Sequence, residues 1–232
     1  MAGNDKLFHM RKARKMESHK RMIARRDPYD MVLIVCEGEK TEVNYFNALI
    51  DELKLNTANV EVADNTAGSS PRSVVDCALK TYRKCKEQGK EYNRIYCVID
   101  RDRHQNYHEA LDVIKRTRLG KRNFIKSVVS TPCFEFWILL HYICTTKYYY
   151  TGVGSVCAKV IADLKRYMPE YEKGNIRIFL KLKDMLKKAC KHAKNIDDNN
   201  DKINEFSSNT IIYKLVSDLE CLKANNKSCM LD

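Results

Sequence analysis

Two short runs hold the residue types best able to do chemistry in this chain: Glu37-Gly38-Glu39-Lys40-Thr41-Glu42 and Asp100-Arg101-Asp102-Arg103-His104. Carboxylate oxygens are hard donors, suited to Mg²⁺ or Mn²⁺ rather than to soft metals. Along an extended backbone, Asp100 and Asp102 aim to one side and Arg101 to the other. The two carboxylates then converge, and they repel unless a cation or a proton neutralises them. Gly38, directly after Glu37, permits a tight turn and the close approach of a phosphate. Lys40 either meets that phosphate as a point charge or is an ordinary exposed lysine. Arg101 and Arg103 either stabilise phosphate or only balance the acids, and His104 suits phosphate contact or proton transfer. Glu135 opens an otherwise apolar stretch, where it either closes the acidic cluster or partners a helix dipole.

These residues need elements that bring them together. Met31-Val32-Leu33-Ile34-Val35-Cys36 and Ile95-Tyr96-Cys97-Val98-Ile99 are continuous apolar runs, the pattern of strands buried on both faces, and each stops at acid. Val60-Glu61-Val62 and Phe124-Ile125-Lys126-Ser127-Val128-Val129 read as two further strands. Between them, Thr41 can cap a helix carrying Tyr45, Phe46, Leu49, Ile50 and Leu53. Ser70-Pro71 opens a second helix, ending near Gln88-Gly89, and a third runs through Ala110, Leu111 and Ile114. The strand-helix alternation predicts an α/β fold with a mainly parallel sheet and right-handed crossovers. In such sheets ligands bind beyond the carboxyl ends of the strands, where both acidic runs fall.

Thr131-Pro132 ends the fourth strand, and 134–143 reads as a strongly apolar helix with the single tryptophan, Trp137. His141 lies six residues beyond Glu135, off its helix face, and reads as a packed, hydrogen-bonded histidine. Strand signals stop after Tyr150. Helices are expected over 156–167, 176–193 and 210–222, with a loop over 195–204. Three regions follow: a basic N-terminal arm over 1–30, a catalytic domain over 31–145 and a helical C-terminal region over 146–232.

With 232 residues the chain can bury a sizeable core, and its net charge of +12 favours a polyanionic partner such as nucleic acid. The ten cysteines are scattered, several inside apolar runs, without a C-x-x-C pair or a zinc-type quartet. They read as buried free thiols, and oxygen rather than sulfur is the expected metal donor. No segment has the length and apolarity to cross a bilayer, which makes the cytoplasm the default location.

Three blocks in order carry a resemblance. Cys36-Glu37-Gly38-Glu39-Lys40-Thr41-Glu42 with Tyr45-Phe46 comes first, then Asp100-Arg101-Asp102 with His104. Last comes Pro132-Cys133-Phe134-Glu135-Phe136-Trp137 with Leu139-Leu140-His141. Together they resemble the RloB family, and the first two resemble a Toprim catalytic domain. The resemblance implies Mg²⁺-dependent phosphodiester chemistry, with Glu37 as general acid or base and Asp100 and Asp102 holding metal. Glu42 is similar to the second acid of OLD-type nucleases, whose spacing is one residue shorter. It further implies a nuclease effector in bacterial anti-phage defence and abortive infection, paired with an RloA-like ATPase, with structured RNA such as tRNA as one target. DNA against RNA, and self-association, stay open. The competing reading is a non-catalytic module that docks on nucleic acid or on the ATPase.

Overall fold

The computed structural model of the chain describes residues 30–55, 59–64, 68, 70–102, 105–199 and 207–224. Apart from Asp30, the expected basic arm lies outside them. Met31–Asp232 forms one compact unit.

Four parallel strands, β1 (Val32–Cys36), β2 (Val60–Asp64), β3 (Arg94–Asp100) and β4 (Phe124–Thr131), form the sheet with a short antiparallel edge, β5 (Asn209–Thr210). The spatial order is β2-β1-β3-β4-β5. The chain moves outward from β1 to β2, then crosses back past β1 to reach β3. The order therefore reverses between β1 and β3, and the crevice beyond their carboxyl ends is where this class of sheet places ligands. The two strands that run into acid are the pair flanking that crevice.

Alternation along β1 and β3 sends side chains to two cores. Leu33, Val35, Ile95, Cys97 and Ile99 pack with helices α2 (Pro71–Glu87) and α3 (Tyr107–Arg116). Helix α2 starts with Pro71 inside a capping box made by Ser70 and Ser73, which satisfies orphan backbone donors. On the other face, Val32, Ile34, Cys36, Tyr96 and Val98 pack with helix α1 (Thr41–Leu53) and the helices after β4. Asp100 continues this second register, so its carboxyl follows Tyr96 and Val98 toward α1. Each buried Val, Leu or Ile contributes about 1.5–3 kcal/mol. The strands are thus anchored by apolar side chains up to the point where the acids begin.

After β4 the chain forms α4 (Phe134–Leu139), α5 (Val156–Leu164), α6 (Ile178–Leu182), a 3₁₀ turn (Lys183–Met185), α7 (Leu186–Asp198) and α8 (Ile212–Lys223). All contribute to the core on the α1 face; Phe134, Trp137, Phe179 and Leu215 are each essentially inaccessible. Tyr45 joins these parts, its ring edge-on to Phe134 at 5.5 Å, Phe179 at 5.2 Å and Trp137 at 6.4 Å between centroids. Such pairs each contribute roughly 0.5–1.5 kcal/mol beyond burial. They fix the helix bearing Glu42 against the one bearing Glu135.

Several elements differ from their sequence reading. The helix expected over 134–143 ends at Leu139, because His141 N–H and Tyr142 N–H bond three residues back and tighten the last turn. The helix expected over 176–193 is divided by the 3₁₀ turn, and α7 continues to Asp198, into the expected loop. Thr210, read as helical, instead pairs with Ser130 at the sheet edge, the two hydroxyls 2.8 Å apart. The sequence carries no strand signal there because β5 is two residues long. Among the described residues no helix is long and apolar enough to cross a membrane.

Candidate functional site

At the β1–β3 crevice, Glu37, Gly38, Glu39, Lys40, Thr41, Glu42, Asp100, Glu135, Lys173 and Gly174 line a cavity of about 390 Å³. Glu37 leaves β1 with its backbone still laddered to β3, its N–H donating to the Val98 carbonyl at 3.1 Å. Its side chain turns back to accept the Asp100 N–H at Oε2, 3.0 Å away. The ends of the two strands are thereby tied by the carboxylate itself.

Gly38 has a defined spatial reason. A Cβ there would overlap the Glu42 carboxylate, so the bare backbone makes room for the second acid to swing into the cavity. Thr41 and Asn44 at the start of α1 then hold the opposite wall. Gly174 N–H donates to Thr41 Oγ1 at 2.8 Å, and Asn44 Nδ2 donates to the Gly174 carbonyl at 3.0 Å. This clamp sets Lys173 at the rim.

Four carboxyls meet around the cavity, Glu37, Glu42 and Glu135 buried and Asp100 half-buried, and they differ electrostatically. Burial pushes Glu37 up to about 7, with Asp102 and Glu42 adding to the rise against the Asp100 N–H. Burial also raises Glu42 to about 7, with a contribution from Glu135 and opposition from its own backbone N–H and from Lys173. Asp100 is raised strongly by burial and then by Glu42, Glu135 and Glu37. Glu135 goes the other way: burial alone would lift it, but the Lys173 ammonium, the two thiols of Cys157 and Cys133 and its own backbone N–H outweigh that and lower it.

The partners of Glu135 are close. Lys173 Nζ lies 3.1 Å from Oε1, Tyr171 donates its hydroxyl to the same oxygen at 3.2 Å, and Cys157 donates its thiol to Oε2 at 3.0 Å. Cys133 Sγ in turn stands 2.8 Å from Cys157 Sγ. Among the described residues, Cys133, Glu135 and Cys157 are the one trio of possible ligands whose donor atoms already lie within 4.8 Å of one another. Sulfur thus stands beside oxygen among the donor types this crevice offers. Glu37, Glu42 and Asp100 share the cavity wall without donor atoms that all lie within that distance.

Asp102 lies past the end of β3, is half-buried, and acts on Glu37 from the side. The guanidinium of Arg101 lies over the Tyr107 ring, 5.0 Å from its centroid, on the side of α3. Tyr150 donates its hydroxyl to the Arg101 carbonyl and so pins the backbone leading to Asp102. Lys40 is a wall of the cavity, its stem packed on Gly174. Arg103 and His104 lie outside the described residues. His141 is fully buried; Nδ1–H donates to the Trp137 carbonyl at 3.0 Å, leaving Nε2 to accept from the Tyr45 hydroxyl at 3.4 Å.

Lys173, Tyr171 and Cys157 were not singled out by their sequence positions. Cys157 sits on the helix expected over 156–167, and Tyr171 and Lys173 follow it in a segment without a motif; only the docking of 155–174 onto α1 and α4 brings them to Glu135. Of the exposed lysines after Ile176, Lys181 and Lys183 are paired with Glu170 and Glu52, and Lys188 donates to the Tyr142 carbonyl.

No curated protein and no solved structure matches the chain. The family model described as RloB-like protein matches residues 32–219, which takes in the whole sheet, the acidic cavity and the Pro132–His141 block. The chain belongs to the RloB-like protein family.

Proposed function

We propose that this protein is a divalent-metal-dependent nuclease of the Toprim type, hydrolysing phosphodiester bonds of nucleic acid. The observation that supports the reading most is the meeting of Glu37 and Asp100 at the β1–β3 crevice with Glu42 on the facing helix. Acids held this close, three of them with raised affinity for protons, suit Mg²⁺ or Mn²⁺ as the neutralising partner. Glu37, Glu42 and Asp100 would hold the ion, with Asp102 at the mouth. When bound, the metal supplies charge neutralisation for the phosphodiester and acidifies a water.

The chain's own residues account for the rest. Glu37, which burial raises to about 7 in the metal-free pocket, is able both to take a proton and to return it, as a general acid or base must. Glu135 stays ionised, and through Lys173 it holds a cation at the rim that meets the phosphate together with Lys40. The net charge of +12 draws the polyanion toward a pocket that is itself acidic. On this reading the protein is an anti-phage effector working in the cytoplasm with an RloA-like ATPase, on DNA or RNA, with structured RNA such as tRNA as one candidate target; membership of the RloB-like family supports the link to defence.

Purified protein, Mg²⁺, and labelled RNA and DNA test the reading directly. Wild type cleaves at least one of them, and Glu37→Gln slows cleavage by about 100-fold or more. Equal residual activity in wild type and variant contradicts the proposal. Metal-independent binding without turnover, unchanged in Asp100→Asn with Asp102→Asn, favours a docking module instead.

A further inference from the structure

Cys133 and Cys157 are 24 residues apart in sequence, and each begins a helix: Cys133 is the cap of α4, and Cys157 lies in the first turn of α5. Cys157 donates its thiol to Glu135 Oε2 and Cys133 stands against Cys157, with donor atoms of all three within 4.8 Å, while Glu135 Oε1 is engaged by Tyr171 and Lys173. One carboxylate oxygen is therefore held by a tyrosine and a lysine, and the other by the Cys157 thiol, with the second thiol adjoining. This is the arrangement of a metal ligand fixed by an outer layer of hydrogen bonds.

We propose that Cys133, Cys157 and Glu135 form a zinc-type soft-metal site beside the acidic cavity, separate from the hard-ion ligands Glu37, Glu42 and Asp100. Two thiolates and one carboxylate around a divalent ion leave one net negative charge, and Lys173 balances it. A tetrahedral zinc dithiolate needs its sulfurs roughly 3.8 Å apart, from Zn–S bonds of about 2.3 Å. The observed 2.8 Å must therefore open by about 1 Å, and the half-exposed Cys157 is the side that can turn. Three protein ligands leave a fourth position for water.

The site does not depend on the nuclease reading, and its test reads binding, not cleavage. The full chain is stripped of metal under a non-thiol reductant and titrated with Co²⁺, then with Zn²⁺. One equivalent of Co²⁺ gives a sulfur-to-cobalt charge-transfer band that Zn²⁺ abolishes and excess Mg²⁺ does not. Cys157→Ser, isosteric and partly exposed, reduces the band to about half or less and weakens Zn²⁺ binding by about 100-fold or more, and Cys133→Ser with Cys157→Ser abolishes the band; Tyr171→Phe weakens binding by about tenfold through the carboxylate. Glu37→Gln keeps the band, so failure of cleavage and failure of this site are distinguishable. A folded wild type without the band, or a band undiminished in Cys157→Ser, overturns the proposal. So does a chain two hydrogens lighter under non-reducing conditions, with Cys133 and Cys157 cross-linked and no metal taken up.

Discussion

Two carboxyls of one cavity are driven in opposite directions by their neighbours, and this difference assigns them different work. Glu37 has a single backbone N–H against burial and nearby acids, and sits near 7; Glu135 has a lysine, two thiols and a tyrosine hydroxyl and stays charged. Pairs of acids pushed apart in this way divide into one that exchanges protons and one that remains an anion. His141 shows the same physics in the core. Burial lowers it to about 4, against an unfolded value of roughly 6.5. A histidine with a depressed folded value contributes stability that is fully present above about 6.5 and is lost as pH falls toward 4. The shift corresponds to about 3 kcal/mol. Denaturant unfolding of wild type and His141→Gln across pH 7 to 4 checks this: the stability gap between them narrows by about that amount on acidification, whereas parallel curves contradict it.

The β1–α1 turn shows how far an element can be read from sequence. A continuous apolar strand stopping at Glu37, followed by helical periodicity from Thr41, located the turn and its acids without coordinates. The purpose of Gly38 was not legible, because the atom it avoids belongs to Glu42, a side chain placed by the packing of Tyr45 and Phe46. Gly38→Ala therefore forces the Glu42 carboxylate out of the cavity. Divalent-metal affinity falls by about tenfold, equivalent to about 1.4 kcal/mol, while circular dichroism stays native. Calorimetric Mn²⁺ titration of the two proteins decides, and unchanged affinity removes Glu42 from the ligand set. Elsewhere the division is similar. Buried strands show as unbroken apolar runs, and α2 shows through its Ser-Pro start, whereas α6 and the adjoining 3₁₀ turn read as one helix because their apolar spacing runs on without a Gly or Pro break. Cys157, Tyr171 and Lys173 depend wholly on tertiary docking, for which a single sequence carries no periodic signal.

At the scale of the whole molecule, a strongly basic chain gathers Glu37, Glu39, Glu42, Asp100 and Glu135 at one crevice of the sheet and leaves much of its lysine on the outside. On the proposed reading, a polyanion and a cation are drawn to different places, which is the electrostatic plan that phosphodiester hydrolysis asks for. The central claim is that the crevice acids are a divalent-ion site. Carboxyls with raised folded values stabilise the protein below about 4.5 and lose that contribution as pH climbs through 7. Without metal, the acids therefore weaken the fold at pH 8, and Mg²⁺ should restore it there by replacing the lost protons. Thermal unfolding at pH 8 and pH 5, with and without Mg²⁺, for wild type and Asp100→Asn, measures this most directly. At about 100 times Kd, Mg²⁺ raises the wild-type Tm by roughly 5–10 °C at pH 8 and by far less at pH 5, where protons hold the site, and it does little for Asp100→Asn. A Tm that Mg²⁺ leaves unmoved at pH 8, or that rises equally at both pH values and in the variant, contradicts the account.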